Sequence, residues 1–429
     1  MWRPPGSWHR LVHVCRRWRS VVFMSPNFLD LRLVCYPWTR LEFLGIWPPL
    51  PIVIRDMIYT PSREDYVLDA AIVHRNRVCE IYLTRTPHLQ RLTSAMQGQF
   101  PALTHFKLDY FGHYDTNPTL PDDFLVGTAP RLQFLELQFI AFPALPKLLL
   151  SVTDLVYLSL SRIPHSGYIS PEAIVTGLAV LTNLKYLNIG FESRPDQESR
   201  HSLPPTRTVL PSLTSFRFQG VSQYLEGLLA RIDAPLLDSI RITFVYQRIF
   251  DSPQLTQFMR RSVTERFQTL NEAHVYFDST CILVQSSYFV EKSWLIIMYQ
   301  DYGWELPSFL AQVITSIFPS FYKVERLYIR RPRYLLSQWL NDIENLPWPE
   351  LFHPFTAVKN LYVCKEFAQC ITLALGERRT GALPTLECLF LEEEFQPSEP
   401  VQEAIGMLVA ARQLLGHPLT VSRWDRYWQ

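Results

Sequence analysis

Along most of the chain one phrase of hydrophobic and polar positions keeps returning: an apolar residue, two variable ones, an apolar residue, one variable residue and a third apolar residue. It reads Val78-Ile81-Leu83 in VCEIYL, Leu103-Phe106-Leu108 in LTHFKL, Leu132-Leu135-Leu137 in LQFLEL and Leu155-Leu158-Leu160 in LVYLSL. Leu184-Leu187-Ile189, Leu213-Phe216-Phe218 and Leu237-Ile240-Ile242 continue it, and after a gap it returns as Val324-Leu327-Ile329, Val358-Leu361-Val363 and Leu386-Leu389-Leu391. The alternation inside each phrase predicts a short strand with its apolar side chains on one face and its variable ones on the other. Between phrases the period changes. Ile174, Leu178 and Leu181 in PEAIVTGLAVLTN, and Leu225, Leu228, Leu229 and Ile232 in SQYLEGLLARI, recur every three or four residues, which predicts helices packed on a sheet.

The starts of the first seven phrases lie 25, 29, 23, 29, 29 and 24 residues apart, inside the range of a leucine-rich repeat. One such strand-helix unit cannot bury its apolar face alone, so neighbours must stack on a shared core. The expected fold class is therefore α/β: over residues 78–429 an irregular leucine-rich-repeat solenoid, with a curved parallel sheet and outer helices. It is irregular because the eighth position after the first Leu, where such repeats carry Asn or Cys, holds Phe111, Ile140, Ile163, Glu192, Val221 and Val245. The interval 245–323 reads as degenerate repeats or an insertion. Prolines stand just ahead of several phrases (FPAL, APRL, LPSL, APLL, LPTL), predicted to end the preceding helix and to lead into the strand in extended form.

Composition narrows the function. In 429 residues, 48% are apolar and 19% charged with a formal net charge of +1, as in a folded domain and unlike a nucleic-acid-coating protein. With only 15 glycines and neither G-x-G-x-x-G nor G-x-x-x-x-G-K-[ST], phosphate-cradling loops are disfavoured. The seven cysteines form no C-x-x-C pair, which points to thiols in a reducing compartment, cytoplasmic or nuclear. Cys364 and Cys370 lie closest but lack further ligands at metal-site spacing, and the run Glu392 to Glu394 reads as a solvated strand end, so no metal is expected. There is no G-x-S-x-G and no H-E-x-x-H, and the eleven histidines stand singly. The expectation is a protein that is no enzyme and takes no cofactor. No apolar run is long enough to cross a bilayer, so neither membrane nor nucleic acid is expected as a partner.

The N-terminal stretch WHRLVHVCRRWRSVVF, from Trp8 to Phe23, carries Leu11, Val14, Cys15, Trp18, Val21 and Val22 at helical spacing, flanked by Arg10, Arg16, Arg17 and Arg19. Pro26 then stops the helix, and FLDLRLVC alternates as a strand would. An Arg-rich start free of acids also fits a transit peptide, a nucleic-acid-binding helix or a cap sealing the first repeat. The segment further resembles the second half of an F-box, whose ending runs W-x-x-(apolar)-x-x-V-C-(basic)-x-W-(basic). Val14-Cys15-Arg16-Arg17-Trp18-Arg19 match it position by position. IWPPLPIVIRD and AAIVHRNRVCEIYL resemble the linker of F-box proteins with leucine-rich repeats from mushroom-forming (basidiomycete) fungi. The first half of the motif, a Leu-Pro-x-Glu helix, is missing ahead of Trp8. The resemblance implies a non-catalytic substrate receptor of an SCF (Skp1-cullin-F-box) ubiquitin ligase. In it Trp8, Leu11, Val14, Cys15 and Trp18 would meet the Skp1-like adaptor, while the repeats hold an unknown protein substrate. A repeat scaffold with no ubiquitin-ligase link is the alternative.

The expected domains are then 1–35, a partial F-box helix and strand; 36–77, a linker packed on the first repeat; and 78–429, the repeats. Strand alternation puts the variable residues of each phrase on the concave face. The expected substrate-binding residues are His105, Lys107, Phe134, Glu136, Tyr157, Tyr186, Asn188, Arg217, Arg241, Arg326, Tyr328 and Tyr362, with Tyr and Arg as exposed anchors of the kind that dominate protein interfaces.

Overall fold

The computed structural model describes residues 12–24, 31–36, 50–55, 73–84, 93–94, 96–110, 118–192, 206–245, 253–262, 271–277, 281–285, 295–300, 323–331, 348–376, 382–393, 395–396 and 398–425. The chain packs as two compact units, the first made of residues 1–195 with 210–213, the second of 196–209 with 214–429. Each is mixed α/β and built on a largely parallel sheet. The borders expected at 35 and 77 fall inside the first unit.

In the first unit seven strands lie side by side in chain order: β1 (Leu33–Cys35), β2 (Ile52–Arg55), β3 (Val78–Thr84), β4 (His105–Asp109), β5 (Phe134–Gln138), β6 (Tyr157–Ile163) and β7 (Tyr186–Phe191). Every pairing is parallel. The register sets equivalent phrase positions against each other, so Ile81, Phe106, Leu135, Leu158 and Leu187 form one continuous row. Across both units all the apolar positions of the ten phrases are at most 6% exposed. Each such side chain contributes roughly 1.5–3 kcal/mol on leaving water, so a slip by one residue would be costly throughout the sheet.

Among the described residues the first unit's α-helices include α1 (Arg16–Phe23), α2 (Leu145–Leu149) and α3 (Pro171–Leu178). α3 starts where its sequence dictates. The Ser170 hydroxyl accepts the Ala173 N–H at 3.3 Å and Pro171 occupies a first-turn position that needs no donor. Ile174 and Leu178 are buried as the spacing predicts. Gly177 lets α2 come close: a Cβ there would lie 3.0 Å from Leu149 Cδ1 and 3.3 Å from Pro146 Cα.

Two expectations change. The prolines ahead of the phrases do not lead in as extended chain. In Phe100-Pro101-Ala102-Leu103 the Leu103 N–H donates to the Phe100 carbonyl at 3.0 Å, and Ala129 to Leu132, Leu210 to Leu213, Ala234 to Leu237 and Leu383 to Leu386 close the same three-residue bond. Proline thus sits second in a tight turn, which its fixed φ favours. The N-terminal stripe is not one helix either. Cys15 is extended (φ −162°, ψ 171°) and α1 begins after it, so Val14 and Cys15 stand off the helix. Val12 and Val22 are the buried pair, packed with Leu31, Leu50 and Phe23.

In the second unit a two-stranded pair, β8 (Thr208–Val209) with β10 (Ile232–Asp233), lies apart from the main sheet. The main sheet begins with β9 (Ser215–Gly220) and β11 (Ser239–Val245), joined through α4 (Ser222–Leu229). After α5 (Pro253–Ser262) come β12 (Glu272–Phe277), β13 (Cys281–Gln285) and β14 (Leu295–Gln300). β14 pairs parallel with β11, β13 runs antiparallel to both β14 and β12, and β12 pairs parallel with β15 (Arg326–Arg330). The interval read as degenerate repeats or an insertion is therefore, in its described part, a meander that breaks the parallel order, as its short connections allow and a crossover would not. Parallel pairing resumes through β16 (Asn360–Val363), β17 (Cys388–Glu392) and β18 (Thr420–Trp424), with α6 (Trp348–Phe352) ahead of β16, α7 (Lys365–Gly376) ahead of β17 and α8 (Glu399–Leu414) ahead of β18.

Candidate functional site

Because the phrase leucines point inward, the residues between them share the opposite face of each sheet. In the first unit the register brings Glu80, His105, Phe134, Tyr157 and Tyr186 into one row across β3 to β7. The rings stack: His105 on Phe134 at 5.6 Å, Phe134 on Tyr157 at 4.2 Å and 9°, Tyr157 on Tyr186 at 4.3 Å and 1°. Parallel strands are spaced roughly 4.8 Å apart, so in-register aromatics meet face to face with no backbone adjustment. The row is half-buried. Burial, followed by the neighbouring Tyr186 and Glu136, raises the Tyr157 phenol above its ordinary value, so it stays a neutral hydroxyl.

The charges beside this row are satisfied within the face. Lys107 Nζ donates to Glu136 Oε1 at 2.8 Å in the next row, where Asn188 Nδ2 donates to Ser159 Oγ at 2.9 Å. Glu80, buried, is the hub at the other end: Arg32 bonds its carboxylate, Arg55 lies 3.8 Å away and His105 Nδ1 3.9 Å. Arg55 also stacks over Tyr82 at 4.8 Å, and burial together with Glu80 pushes that phenol up to about 12. His105 is held below its ordinary value by burial and Arg32, against the pull of Glu80. At the strand ends two equivalent residues, Phe139 (φ 59°) and Arg162 (φ 51°), take the left-handed conformation, and the Arg162 guanidinium lies 4.9 Å over the Phe139 ring. That conformation costs an L side chain roughly 1–2 kcal/mol.

The second unit carries a similar row. His274, Tyr328, Tyr362 and Phe390 are in register, with centroids 4.3, 4.3 and 4.5 Å apart. Trp424 from β18 stands edge-on to Tyr362 (5.5 Å, 77°) and Tyr328 (6.3 Å, 64°), and its indole N–H donates to the Val363 carbonyl at 3.2 Å. Arg330, 1% exposed, fills the next rung between rings, 4.8 Å from Tyr328 and 5.0 Å from Trp424. Burial lowers His274 below its ordinary value; the nearby His274 in turn keeps Glu272 low.

All twelve residues expected to bind substrate thus lie on the face opposite the core, but not in equal exposure. His105, Lys107, Phe134, Glu136, Tyr157, Tyr186 and Asn188 form one patch of the first unit. Arg217 and Arg241 are register partners on β9 and β11 of the second unit, away from its aromatic row. Arg326 pairs with Glu272 at 3.4 Å and Tyr362 is half-buried. Tyr328, expected as an exposed anchor, is only 2% exposed because Trp424 and Arg330 pack on it. Of the residues expected to meet an adaptor, Trp8 and Leu11 lie outside the described residues. Val14, Cys15 and Trp18 are exposed, Val14 by 64% and Trp18 by 49%, alongside Val21.

Glu392 is not a solvated strand end. It is buried and its Oε2 accepts the Lys365 N–H at 2.8 Å, capping α7. Its ligand atom, with those of Cys364 and Glu366, falls in a group within 4.8 Å, the donor cluster that could hold a metal among the described residues. Its carboxylates are already engaged, Glu392 by the helix and Glu366 by Arg331 at 3.8 Å. Sequence reasoning missed Glu80 and Tyr82, although they fill the same frame slots as His105 and Lys107. It missed His274 too, whose EAHVYF alternates as a strand does. Nothing local marks Trp424; the alternation in RLYIR puts Arg330 on the outward face, but does not show its burial against a ring. No protein-family model matches the sequence, and no curated protein is similar to it. No described helix is long and apolar enough to cross a membrane.

Proposed function

We propose that this chain is a non-catalytic protein receptor. Its strand-helix units form a leucine-rich-repeat solenoid, its N-terminal segment docks a Skp1-like adaptor of an SCF ubiquitin ligase in the cytoplasm or nucleus, and its sheet face holds the protein to be ubiquitylated. The observation that carries the reading is the patch of His105, Phe134, Tyr157 and Tyr186, four rings from four successive units gathered on the side away from the buried leucines. The core does not need them, and aligned aromatics over satisfied polar groups are the composition of a protein-binding surface. The receptor would act by proximity, raising the effective concentration of substrate beside the ligase.

The adaptor half draws on Val14, Trp18 and Val21, exposed beside Arg16, Arg17 and Arg19. Such an apolar strip ringed by cations suits a groove with an apolar floor and acidic rim. Co-purification with Skp1 tests it: the parent chain is retained, a Trp18→Ala, Val21→Ser double variant is lost, and Tyr157→Ala is retained. A parent chain that fails to hold Skp1 leaves the second reading, a repeat scaffold with no ubiquitin link. The observation favouring that reading is that α1 spans only eight residues and leaves Val14 and Cys15 off the helix.

A further inference from the structure

The two aromatic rows are built alike: each opens on a histidine and continues through three stacked rings, His105-Phe134-Tyr157-Tyr186 in one unit and His274-Tyr328-Tyr362-Phe390 in the other. Stacking consumes the ring faces, so a row offers its edges outward. In the second unit those edges are already used. Trp424 lies across the two middle rings, Tyr328 and Tyr362, and is itself buried. In the first unit the two middle rings, Phe134 and Tyr157, make ring contacts among the described residues only along their own row, and they stay half-buried.

We infer that Phe134 and Tyr157 take an aromatic side chain from an uncharged segment of the bound protein, seated edge-on as Trp424 is seated in the second unit. Trp424 shows within the same chain what such a row accepts. Edge-to-face packing is the favoured arrangement for a ring meeting a stack from the side. The charges around the row decide the rest of the segment. Lys107 is bound to Glu136, and Glu80 already holds Arg32 with Arg55 close by, so an incoming charged group would lose water without meeting an available counter-charge. Where the second unit has Arg330 stacked on Trp424, the first has Glu136 in its ion pair. The guest of the first unit is therefore held by rings and not by a cation.

The inference rests on the face of the first unit being a protein-binding surface and is independent of the adaptor. A random peptide library displayed on phage and selected against the full chain tests it. The expected binders share a Trp, Tyr or Phe at one position and carry little net charge. Changing that ring to Ala, or Tyr157→Ala in the chain, weakens them by about tenfold or more, while Tyr157→Phe and added salt leave them bound. Phe134→Leu, close in volume, serves where Tyr157→Ala does not fold. Recovery of charged binders without a common ring, of ring-bearing binders indifferent to both substitutions, or of no binders overturns the inference. A chain that selects such peptides yet does not retain Skp1 keeps it and drops only the ligase reading.

Discussion

The two aromatic rows share a stacking pattern and a spacing, the second set one slot further along the frame, but differ in what lies over them. In the second unit the row is roofed by Trp424 and wedged by Arg330, so His274 and Tyr328 are as buried as core residues. In the first, the same kind of row stays half-buried and its flanking charges are settled by neighbours on the same face. One motif thus stands in two settings: where the chain supplies the covering ring, His274 and Tyr328 join the core while Tyr362 and Phe390 stay half-buried, and where it does not the whole row of rings stays half-buried, the surface for which we propose a bound protein.

The largest expected effect separates the two directly. Trp424→Ala should destabilise the second unit by about 3–5 kcal/mol, since it removes a buried indole and uncovers Arg330. Urea unfolding measures it, and a loss no larger than that of Tyr157→Ala would erase the distinction. Leu135→Ala and Leu361→Ala, equivalent core positions of the two units, should each cost about 2–5 kcal/mol. A large gap between them would mean that the phrases are not equivalent. Tyr157→Ala should cost only about 1 kcal/mol, the worth of an aromatic pair on a half-buried face.

Acid sharpens the comparison further. Burial holds His274 below its ordinary 6.5, so the unfolded chain takes up the proton first. Its contribution is complete above about pH 6.5 and is lost as pH falls through the lowered folded value. His105 has the same sign, but its side chain is 35% exposed and solvent weakens its effect. Between pH 7.5 and 5, His274→Asn should flatten the stability curve more than His105→Asn; the reverse order would contradict the contrast in burial. Smallest of all, a double-mutant cycle on Lys107 and Glu136 should give a coupling of about 0.2–1 kcal/mol that shrinks with salt.

The ten phrases were legible because strand burial has a period of two and the core accepts only one of the two faces. Every Leu, Ile, Val or Phe of the frame is inside. The same alternation marks the first-unit patch. Boundaries and exceptions were not legible in this way. The meander of β12 to β14 has ordinary strand composition, and only its pairing, antiparallel on both sides of β13, distinguishes it from a degenerate repeat. The prolines mark where the turns lie but not their form, since Pro fits either an extended lead-in or the second position of a turn, and only the bond from Leu103 to Phe100 and its equivalents chooses.

By itself the sequence determined which face of each strand is buried and which units are alike, because periodicity is a local property that every residue carries in its own position. Tertiary structure alone decided which of the outward residues remain outward. Tyr157 stands just before the second apolar residue of its phrase and Tyr328 just after it, both on the outward face, and what parts them in burial is a tryptophan distant in sequence from both, brought onto one row by strand pairing and onto the other by nothing in the described chain.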